Sequence, residues 1–234
     1  MMRNILETGA HTFGIALTEE KLSQFEQYYA LLVEWNERMN LTAITDPAAV
    51  TVRHFLDSIS CAQTGLFAPD EMVIDVGSGA GFPGLPLAIC FSDTSFILLD
   101  SLQKRVQFLN TVISSLGLNN VTAVHARAED AARGEWRERF GIALSRAVAP
   151  LNVLCELCLP FVKVGGHLIA MKGKQAAQEQ EEAANAIHVL GGNTKNSMPV
   201  SIDDHTRRLI LIEKTASTPL KYPRKAGKPS KNPI

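Results

Sequence analysis

Hydrophobic positions divide the chain into a helical first third and a middle of alternating strands and helices. From Leu22 to Met39, apolar residues recur at steps of three and four, which predicts one long helix that begins after a Thr18 cap. The members of this stripe are Leu22, Phe25, Tyr29, Leu32, Trp35 and Met39. Rings such as Trp35 and Tyr29 can stack on bases, but their helical spacing favours core positions.

A second helix start and a series of short strands follow. Asp46-Pro47 combines a cap with a proline in the first turn, which predicts a helix to about residue 63. Short apolar runs then alternate with helical stretches, as in a parallel sheet covered by helices on both faces. We predict strands at 72–76, 95–100, 121–124, 141–144 and 167–171, and helices at about 84–90, 103–116, 150–162 and 175–189. Two late strands, near 197–201 and 207–213, are expected to form a hairpin at one edge of the sheet.

The net charge of −1 conceals an uneven distribution. Residues 1–213 carry −7, whereas residues 214–234 carry +6 and no acid. Residues 217–234 contain four prolines and five basic residues, which predicts a tail without a core of its own and favours a polyanion partner. The hydrophobic fraction of 46% excludes a disordered chain, and no apolar run is long enough for a membrane span. The N-terminus lacks a signal-peptide pattern, so we expect a cytoplasmic protein.

Cysteine and histidine spacing gives little support to a metal or redox site. Cys155 and Cys158 form a CxxC inside a predicted apolar helix, where we interpret them as core thiols. Neither Cys61 nor Cys90 has a second cysteine nearby in the sequence. The histidines without metal-type spacing are His11, His125, His167, His188 and His205. We therefore predict no metal.

The most informative segment is a glycine-rich turn after the first strand. It has the pattern D-x-G-x-G-x-G, with the acid at Asp75 and glycines at Gly77, Gly79 and Gly81. A dinucleotide fingerprint would need glycine where Phe82 stands, and no P-loop lysine follows. Asp75 can orient the loop or meet a positive ligand group, and Asp100 at the second strand end can accept both hydroxyls of a ribose. An adenosine joined to a cationic amino acid describes S-adenosylmethionine; the alternative is a turn that only closes a strand–helix junction.

These motifs make the chain similar to class I methyltransferases and, more narrowly, to the RsmG (GidB) family, over nearly its whole length. The glycine loop continues into Phe82-Pro83-Gly84, which generic methyltransferases lack, as they lack Ser145-Arg146-Ala147. Further motifs are Trp35-Asn36, Asn40-Leu41-Thr42, Arg53-His54-Phe55-Leu56-Asp57-Ser58, Leu99-Asp100-Ser101 with Lys104-Arg105, Arg127-Ala128-Glu129 and Lys172-Gly173.

The resemblance implies methyl transfer from S-adenosylmethionine to the N7 of a guanine in small-subunit (16S) ribosomal RNA. Free RNA or the small ribosomal subunit would be the partner, and a monomer is expected. Together with the loop pattern, it implies cofactor contacts by Asp75, Gly77, Gly79, Phe82, Asp100, Ala128, Glu129 and Arg146. Two alternatives stay open: a non-catalytic RNA-binding ribosome assembly factor, and a class I methyltransferase that acts on a protein or small molecule.

Methylation of N7 is a direct displacement in which no proton leaves the nitrogen, so no general base is needed. Because positive charge moves onto the purine, we predict that carboxylates or backbone carbonyls recognise the base through N1 and N2. Arg146 is expected to clamp the cofactor carboxylate or lie beside an RNA phosphate; the alternative is a surface ion pair. Lys172 either contacts substrate phosphate or is a solvated strand end.

Two further pairs remain ambiguous. His54 and Asp57 are three residues apart on a predicted helix, hence on one face. They fit a buried hydrogen bond between helices, or contact with the cofactor site or RNA. Lys104 and Arg105 begin the helix after Asp100 and either help to hold RNA or face solvent.

The predicted architecture is therefore an α/β class I methyltransferase (Rossmann-like) fold: a doubly wound, mostly parallel seven-stranded sheet with an N-terminal helical extension. We divide the chain into the extension (1–66), the methyltransferase domain (67–216) and the basic tail (217–234).

Overall fold

The N-terminal third consists of helices that cover one side of a sheet. The computed structural model describes residues 1–202 and 207–234, so His205 lies outside the described residues. Helix α1, which the sequence did not predict, is followed by α2, and a continuous helical segment then passes through a π-helical turn. The elements are α1 (Met2–Thr12), α2 (Glu19–Met39), α3 (Pro47–Val50), the π turn (Thr51–Leu56), α4 (Asp57–Ile59) and a 3₁₀ turn (Ser60–Thr64).

Local capping explains the bounds of α2. The Thr18 hydroxyl accepts a hydrogen bond from the Lys21 amide, and Asn40 ends the helix in the left-handed conformation with φ of 49°. The buried face differs from the predicted stripe by one position, because Tyr28 is fully buried whereas Tyr29 is half-buried. The core assignments of Tyr29 and Trp35 both hold in part, because each side chain is half-buried and packs against the core. Trp35 is half-buried and packs against Phe108, with ring centroids 5.7 Å apart.

The described residues form a seven-stranded sheet in the order β3-β2-β1-β4-β5-β7-β6. The first five strands pair in parallel, and β7 pairs antiparallel with both β5 and β6. The strands are β1 (Met72–Val76), β2 (Ser95–Asp100), β3 (Val121–His125), β4 (Phe140–Arg146), β5 (Val162–Lys172), β6 (Gly192–Val200) and β7 (Arg207–Lys214). Between and after them lie α5 (Gly84–Cys90), α6 (Gln103–Ser115), α7 (Ala128–Ala131), α8 (Leu151–Cys158), α9 (Ala176–Glu182), α10 (Ala184–Val189) and α11 (Lys228–Lys231).

The predicted fold class is confirmed, including the late hairpin at the sheet edge. Several elements differ from the prediction, among them β6, which begins at Gly192 rather than near residue 197. β5 begins at Val162, before the double glycine that hides its start in the sequence, and the predicted helix 175–189 is interrupted at Ala183. The loop after β1 and the acid that ends β2 come to the same edge, because carboxyl ends of parallel strands share one edge of a sheet.

Each face of the sheet carries a hydrophobic core. On one face, Phe25 and Phe55 from the N-terminal helices pack in the same cluster as Val73 and Leu98 of the sheet. On the other face, α8 contributes fully buried residues that include Cys155 and Cys158, which confirms their interpretation as core thiols. The division at residues 66 and 216 stays a prediction. Among the described residues, no helix is both long and apolar enough to cross a membrane.

The C-terminal segment is packed, which corrects the picture of a tail set apart from the fold. Arg224 forms an ion pair at 2.5 Å with Glu156 of α8, whose side chain is 1% exposed. Pro229 is buried, and Tyr222 and Ile234 pack against the core on the α8 face. The composition of the segment does not reveal this packing, because the acid that pairs with Arg224 is Glu156, on α8.

Candidate active site

The glycine loop lies against the segment that follows β4. Its glycines at 77, 79 and 81 have φ of 77°, 61° and 95°, a region that side chains rarely adopt. The amides of Gly77 and Ser78 both donate to the carbonyl of Leu99 at the end of β2. A Cβ at Gly77 would lie 2.6 Å from Val148 Cγ2. The loop backbone is therefore held close to two neighbouring strand ends, with no room for a side chain at its first glycine.

Asp75 is fully buried below this loop. Its Oδ2 accepts a hydrogen bond from the Gly84 amide at 3.0 Å, and its Oδ1 has no hydrogen-bond partner among the described residues. Burial raises the pKa of Asp75 to about 7. Of the two roles that the sequence left open, the geometry supports orientation of the loop, because Asp75 does not line either of the cavities described below.

A cavity of about 370 Å³, here the smaller cavity, opens between the glycine loop and the end of β2. Asp100 is on its wall, where Oδ2 accepts from the Gly79 amide and Oδ1 from the Leu102 amide, each at 2.9 Å. Arg105 lies 3.5 Å from the same carboxylate, whereas Lys104 is exposed. The lining residues are Leu41, Thr42, His54, Gly77, Ser78, Gly79, Ala80, Phe82, Asp100, Ser101, Arg105, Arg146, Ala147 and Val148.

A second cavity of about 680 Å³, the larger cavity, lies beside the first. The two share four lining residues: His54, Arg146, Ala147 and Val148. Within this shared wall, Ala147 has φ of 57°, a left-handed backbone conformation that is uncommon for a residue with a side chain. A group bound in one cavity would therefore face a group bound in the other across residues 146–148.

Arg146 is held at this junction by several contacts. Its Nη1 donates to Asp57 Oδ2 at 2.9 Å, and its guanidinium lies 4.8 Å from the centre of the Phe82 ring. Asp57 is 4% exposed, and Arg207, at 3.4 Å from its Oδ1, completes an ion-paired group. The alternative reading of Arg146 as a surface ion pair is wrong as to the surface, because the pair with Asp57 is largely buried at the cavity wall.

His54 is a neutral, hydrogen-bonded ring in the same wall. Burial, and next the charge of Arg146, lower the pKa of His54 to about 4. Nε2 lies 2.8 Å from the Thr42 hydroxyl and Nδ1 lies 3.0 Å from the Arg53 carbonyl, which assigns the proton to Nδ1. The ring stacks on Phe82 at 4.7 Å. The structure thus places His54 and Asp57 both in buried hydrogen bonds and on the walls of the cavities, although they do not bond each other.

Lys172 lines the larger cavity at the end of β5. Its Nζ donates to the Ala149 carbonyl at 2.6 Å and lies 2.7 Å from Glu179 Oε2. The alternative of a solvated strand end is wrong, because Lys172 is 8% exposed and paired. Glu179, which the sequence reasoning did not identify, also accepts the Leu151 amide at 2.9 Å. Its Oε1 makes no hydrogen bond within the described part of the chain and is available to a ligand.

Ala128 and Glu129 lie at the start of α7, close to the end of β2 but not on the wall of either cavity. The Ala126 amide donates to the Asp100 carbonyl at 3.2 Å, which brings this segment beside the ribose acid predicted from the sequence. Glu129 is 8% exposed, and its Oε1 accepts the Gly227 amide at 2.9 Å. The carboxylate of Glu129 thus supports the C-terminal segment, and a cofactor contact by Ala128 or Glu129 stays a prediction.

Tyr28 is a second residue near the site, after Glu179, that the sequence did not reveal. Its hydroxyl donates to the Ala80 carbonyl in the glycine loop, and its ring stacks on Phe82 with centroids 5.6 Å apart. Burial raises its pKa well above the ordinary value, so the hydroxyl keeps its proton for this bond. The adjacent Tyr28 and Tyr29 carry no local signal that says which of them faces the loop.

The chain is similar to known proteins over nearly its whole length. Residues 21–210 match the family model of GidB, rRNA small subunit methyltransferase G. The ribosomal RNA small subunit methyltransferase G of Alkaliphilus metalliredigens is 49% identical over 233 residues, which cover 98% of each chain. The relative of that name from Geobacillus kaustophilus is 51% identical over 224 residues, 94% of each chain.

The fold also resembles a solved structure with a bound cofactor. TYW2 of M. jannaschii in complex with AdoMet gives a TM-score of 0.54 at 16% identity, over 68% of this chain and 76% of that one. At this identity the likeness concerns the fold alone. The full-length identity to curated relatives and the family match, in contrast, are decisive: the chain belongs to the GidB family of rRNA small subunit methyltransferases G.

Proposed function

We propose that this methyltransferase transfers the methyl group of S-adenosylmethionine to the N7 of a guanine in small-subunit ribosomal RNA. The observation that carries the proposal is the pair of adjoining cavities. One has a glycine loop and a strand-end acid, and the other is lined by charged side chains, with Arg146 and His54 in the shared wall. Such a pair can hold a methyl donor and an acceptor face to face, which is the geometry that a direct displacement needs.

The smaller cavity has the chemistry to hold S-adenosylmethionine. Asp100 presents a carboxylate that can accept ribose hydroxyls while two backbone amides keep it in place. The close backbone approach at Gly77 and Gly79 and the apolar ring of Phe82 complete the wall. Arg146 offers a fork of donors for the carboxylate of the amino-acid part. When bound, this cofactor supplies a methyl group on a cationic sulfur.

The residues at the junction act by positioning rather than by proton transfer. His54 is neutral at pH 7, with both ring nitrogens engaged, and Asp57 is ion-paired with two arginines. Neither is free to serve as a general base, and attack by the N7 lone pair releases no proton. Proximity and alignment in such a site can supply about 7–11 kcal/mol of the barrier.

The larger cavity suits guanine better than a base that lacks hydrogen-bond donors at the positions of guanine N1 and N2. Glu179 Oε1 can accept the N1 or N2 hydrogens that guanine carries and adenine lacks at N1. Lys172 is ion-paired with Glu179 and donates a hydrogen bond to the Ala149 carbonyl. Its positive charge is therefore balanced and does not oppose the charge that develops on the purine. This arrangement supplies the carboxylate that the chemistry of the reaction predicts for base recognition.

The substrate on this proposal is a single-stranded or looped region of ribosomal RNA. In an A-form helix, N7 lies in a deep and narrow groove that side chains cannot enter, so the target guanine must be unstacked. The protein would act as a monomer in the cytoplasm, on free RNA or on the small ribosomal subunit.

The test is incubation of the purified chain with tritiated S-adenosylmethionine and either naked small-subunit RNA or small subunits, followed by strand cleavage at methylated guanine. We expect label in RNA and a single cleavage site, and label in protein or none at all would overturn the proposal. Glu179→Gln, matched with Glu182→Gln on the same helix and cavity, separates base recognition from a change of charge. The first variant should raise KM for RNA at least about tenfold, since a hydrogen bond to a charged group contributes about 1.5–3 kcal/mol.

A further inference from the structure

The C-terminal segment 217–234, here the strap, begins at the amino edge of the sheet. The Thr218 amide donates to Glu138 Oε1 at 2.7 Å, just before β4 starts. The Thr218 hydroxyl lies 2.7 Å from Lys214 Nζ and donates to the Leu190 carbonyl. These buried bonds fix the point from which the strap leaves the fold.

From there the strap passes along the turns that connect α7 to β4, toward the carboxyl edge. Arg137 donates to the carbonyls of Thr218 and Tyr222, and Arg133 donates twice to the carbonyl of Pro223. These guanidinium groups satisfy backbone acceptors in a segment whose prolines cannot form a regular ladder. Arg224 then forms its ion pair with Glu156 of α8.

The last part of the strap reaches the carboxyl edge of the sheet. The Gly227 amide bonds Glu129 at the first turn of α7, which directly follows the carboxyl end of β3. The short helix α11 begins after Gly227, and its Pro229 is buried. The strap therefore runs from the amino edge of the sheet to the edge where the cavities open.

Charge is unevenly distributed along this path. Arg224 is neutralised by Glu156, whereas Lys225, Lys228 and Lys231 are exposed and form no ion pair with any described residue. Lys228 and Lys231 are three residues apart on α11 and so lie on one face. Residues 1–213, of net charge −7, are thus followed by a cluster of positive charges that packing holds next to Gly227, on the side of the fold where the cavities open.

We infer that Lys225, Lys228 and Lys231 form a phosphate-binding surface that holds ribosomal RNA beside the catalytic cavities. The inference rests on the proposed function, since it takes RNA as the substrate, and it adds a contact surface outside residues 21–210, the part that the family model matches. Fixed ammonium groups suit this role because each phosphate contact releases counterions without the cost of ordering a free tail.

The experiment compares two variants of equal net charge. Lys228→Ala with Lys231→Ala removes two strap charges, and Lys163→Ala with Lys195→Ala removes two lysines that pair with Glu71 and Glu213 away from the carboxyl edge. Binding of full-length chains to naked small-subunit RNA is measured without cofactor between 50 and 200 mM salt. Two lost phosphate contacts change the slope of log affinity against log salt by about 1.4–1.8, so the wild type should lose about tenfold more affinity than the strap variant over this range.

The control variant should keep the wild-type salt slope. Cofactor affinity, measured by calorimetry, should stay within about twofold of wild type in the strap variant, because none of the bonds that seat the strap is removed. A strap variant with the slope of the control overturns the inference. Absence of methyl transfer by the wild type overturns the proposed function instead, and the salt slopes, measured without cofactor, tell the two failures apart.

Discussion

The ion pair between Arg224 of the strap and Glu156 of α8 predicts a large loss of stability when Arg224 is replaced by alanine. Glu156 Oε1 accepts the backbone amide and Nε of Arg224, at 2.7 and 2.9 Å, and Oε2 accepts Nη2. Arg224→Ala keeps the amide bond but removes the guanidinium from a carboxylate that is 1% exposed. The remaining charge then has one hydrogen bond and almost no water.

The expected cost is about 3 kcal/mol of unfolding free energy. Breaking a buried ion pair from one side costs about 3–5 kcal/mol, and the lower end applies because the amide bond survives and Arg224 is itself 17% exposed. Against a typical total of about 5–15 kcal/mol this is a large loss. Urea unfolding followed by circular dichroism measures it, with linear extrapolation to water. Tryptic cleavage after Lys221 and Lys225 should accelerate as the strap loosens.

Two comparison variants decide whether the buried charge is the cause. Lys225→Ala alters an exposed neighbour and should change stability by no more than about 0.5 kcal/mol. Glu156→Gln combined with Arg224→Ala removes the stranded charge and should recover at least half of the loss. If Arg224→Ala changes the unfolding free energy by less than about 1 kcal/mol and leaves the tryptic pattern unchanged, the buried ion pair does not hold the strap on the fold.

Three further predictions concern the glycine loop. Gly77→Ala should weaken binding of S-adenosylmethionine at least about tenfold in calorimetry, because a left-handed alanine costs about 1–2 kcal/mol and its Cβ meets Val148. Tyr28→Phe removes the bond to the loop carbonyl while keeping the ring stack, so cofactor affinity should fall several-fold, as a lost hydrogen bond of about 1 kcal/mol implies. The pKa of Asp75 is about 7 in the fold, against an ordinary value of 3.8. The wild type therefore loses stability as the pH rises from about 4 to about 7, because the buried carboxyl must ionise. The urea midpoint of Asp75→Asn, measured relative to that of the wild type, should be higher at pH 8 than at pH 5.

Each of these has a contradicting outcome. Gly117→Ala has the same kind of φ, 64°, but open space around the added Cβ, so equal losses in cofactor affinity at both glycines would deny the clash with Val148. Tyr28→Phe with wild-type affinity would mean that the loop does not need the hydroxyl. A constant difference in midpoint between Asp75→Asn and wild type at pH 5 and pH 8 would contradict the raised pKa.

The arrangement of the sheet follows from the sequence because its signals are local. A mostly apolar run such as 72–76 is typical of a strand that is buried on both faces of a sheet. The helices between such runs then cover those faces. The glycine loop and Asp100 come together for the same reason, since parallel strands present their carboxyl ends at one edge. Those two features were predictable before any coordinates.

The junction between the cavities was not predictable in this way. Asp57 and Arg146 are 89 residues apart, and neither has a local pattern that names the other as its partner. Tyr28 is more deeply buried than the predicted Tyr29, because the contacts of α2 with the glycine loop, rather than the helical period alone, decide which ring faces the loop. Glu179 was missed because its role depends on Lys172, which reaches it from a different element.

The sequence by itself determined the approximate positions of the strands, the position of the glycine loop and the concentration of positive charge in the last twenty-one residues. It did not determine where that charge lies, because the partners of the strap are Glu129, Arg133, Arg137 and Glu156, all 68 to 98 residues upstream. Composition is a sum over the chain, whereas hydrogen bonds and buried ion pairs depend on distances of a few ångströms that exist only after α7 and α8 have packed on the sheet. The tertiary structure therefore decided that the basic segment is part of the fold and that Gly227, which precedes Lys228 and Lys231, is bonded at the carboxyl edge of the sheet.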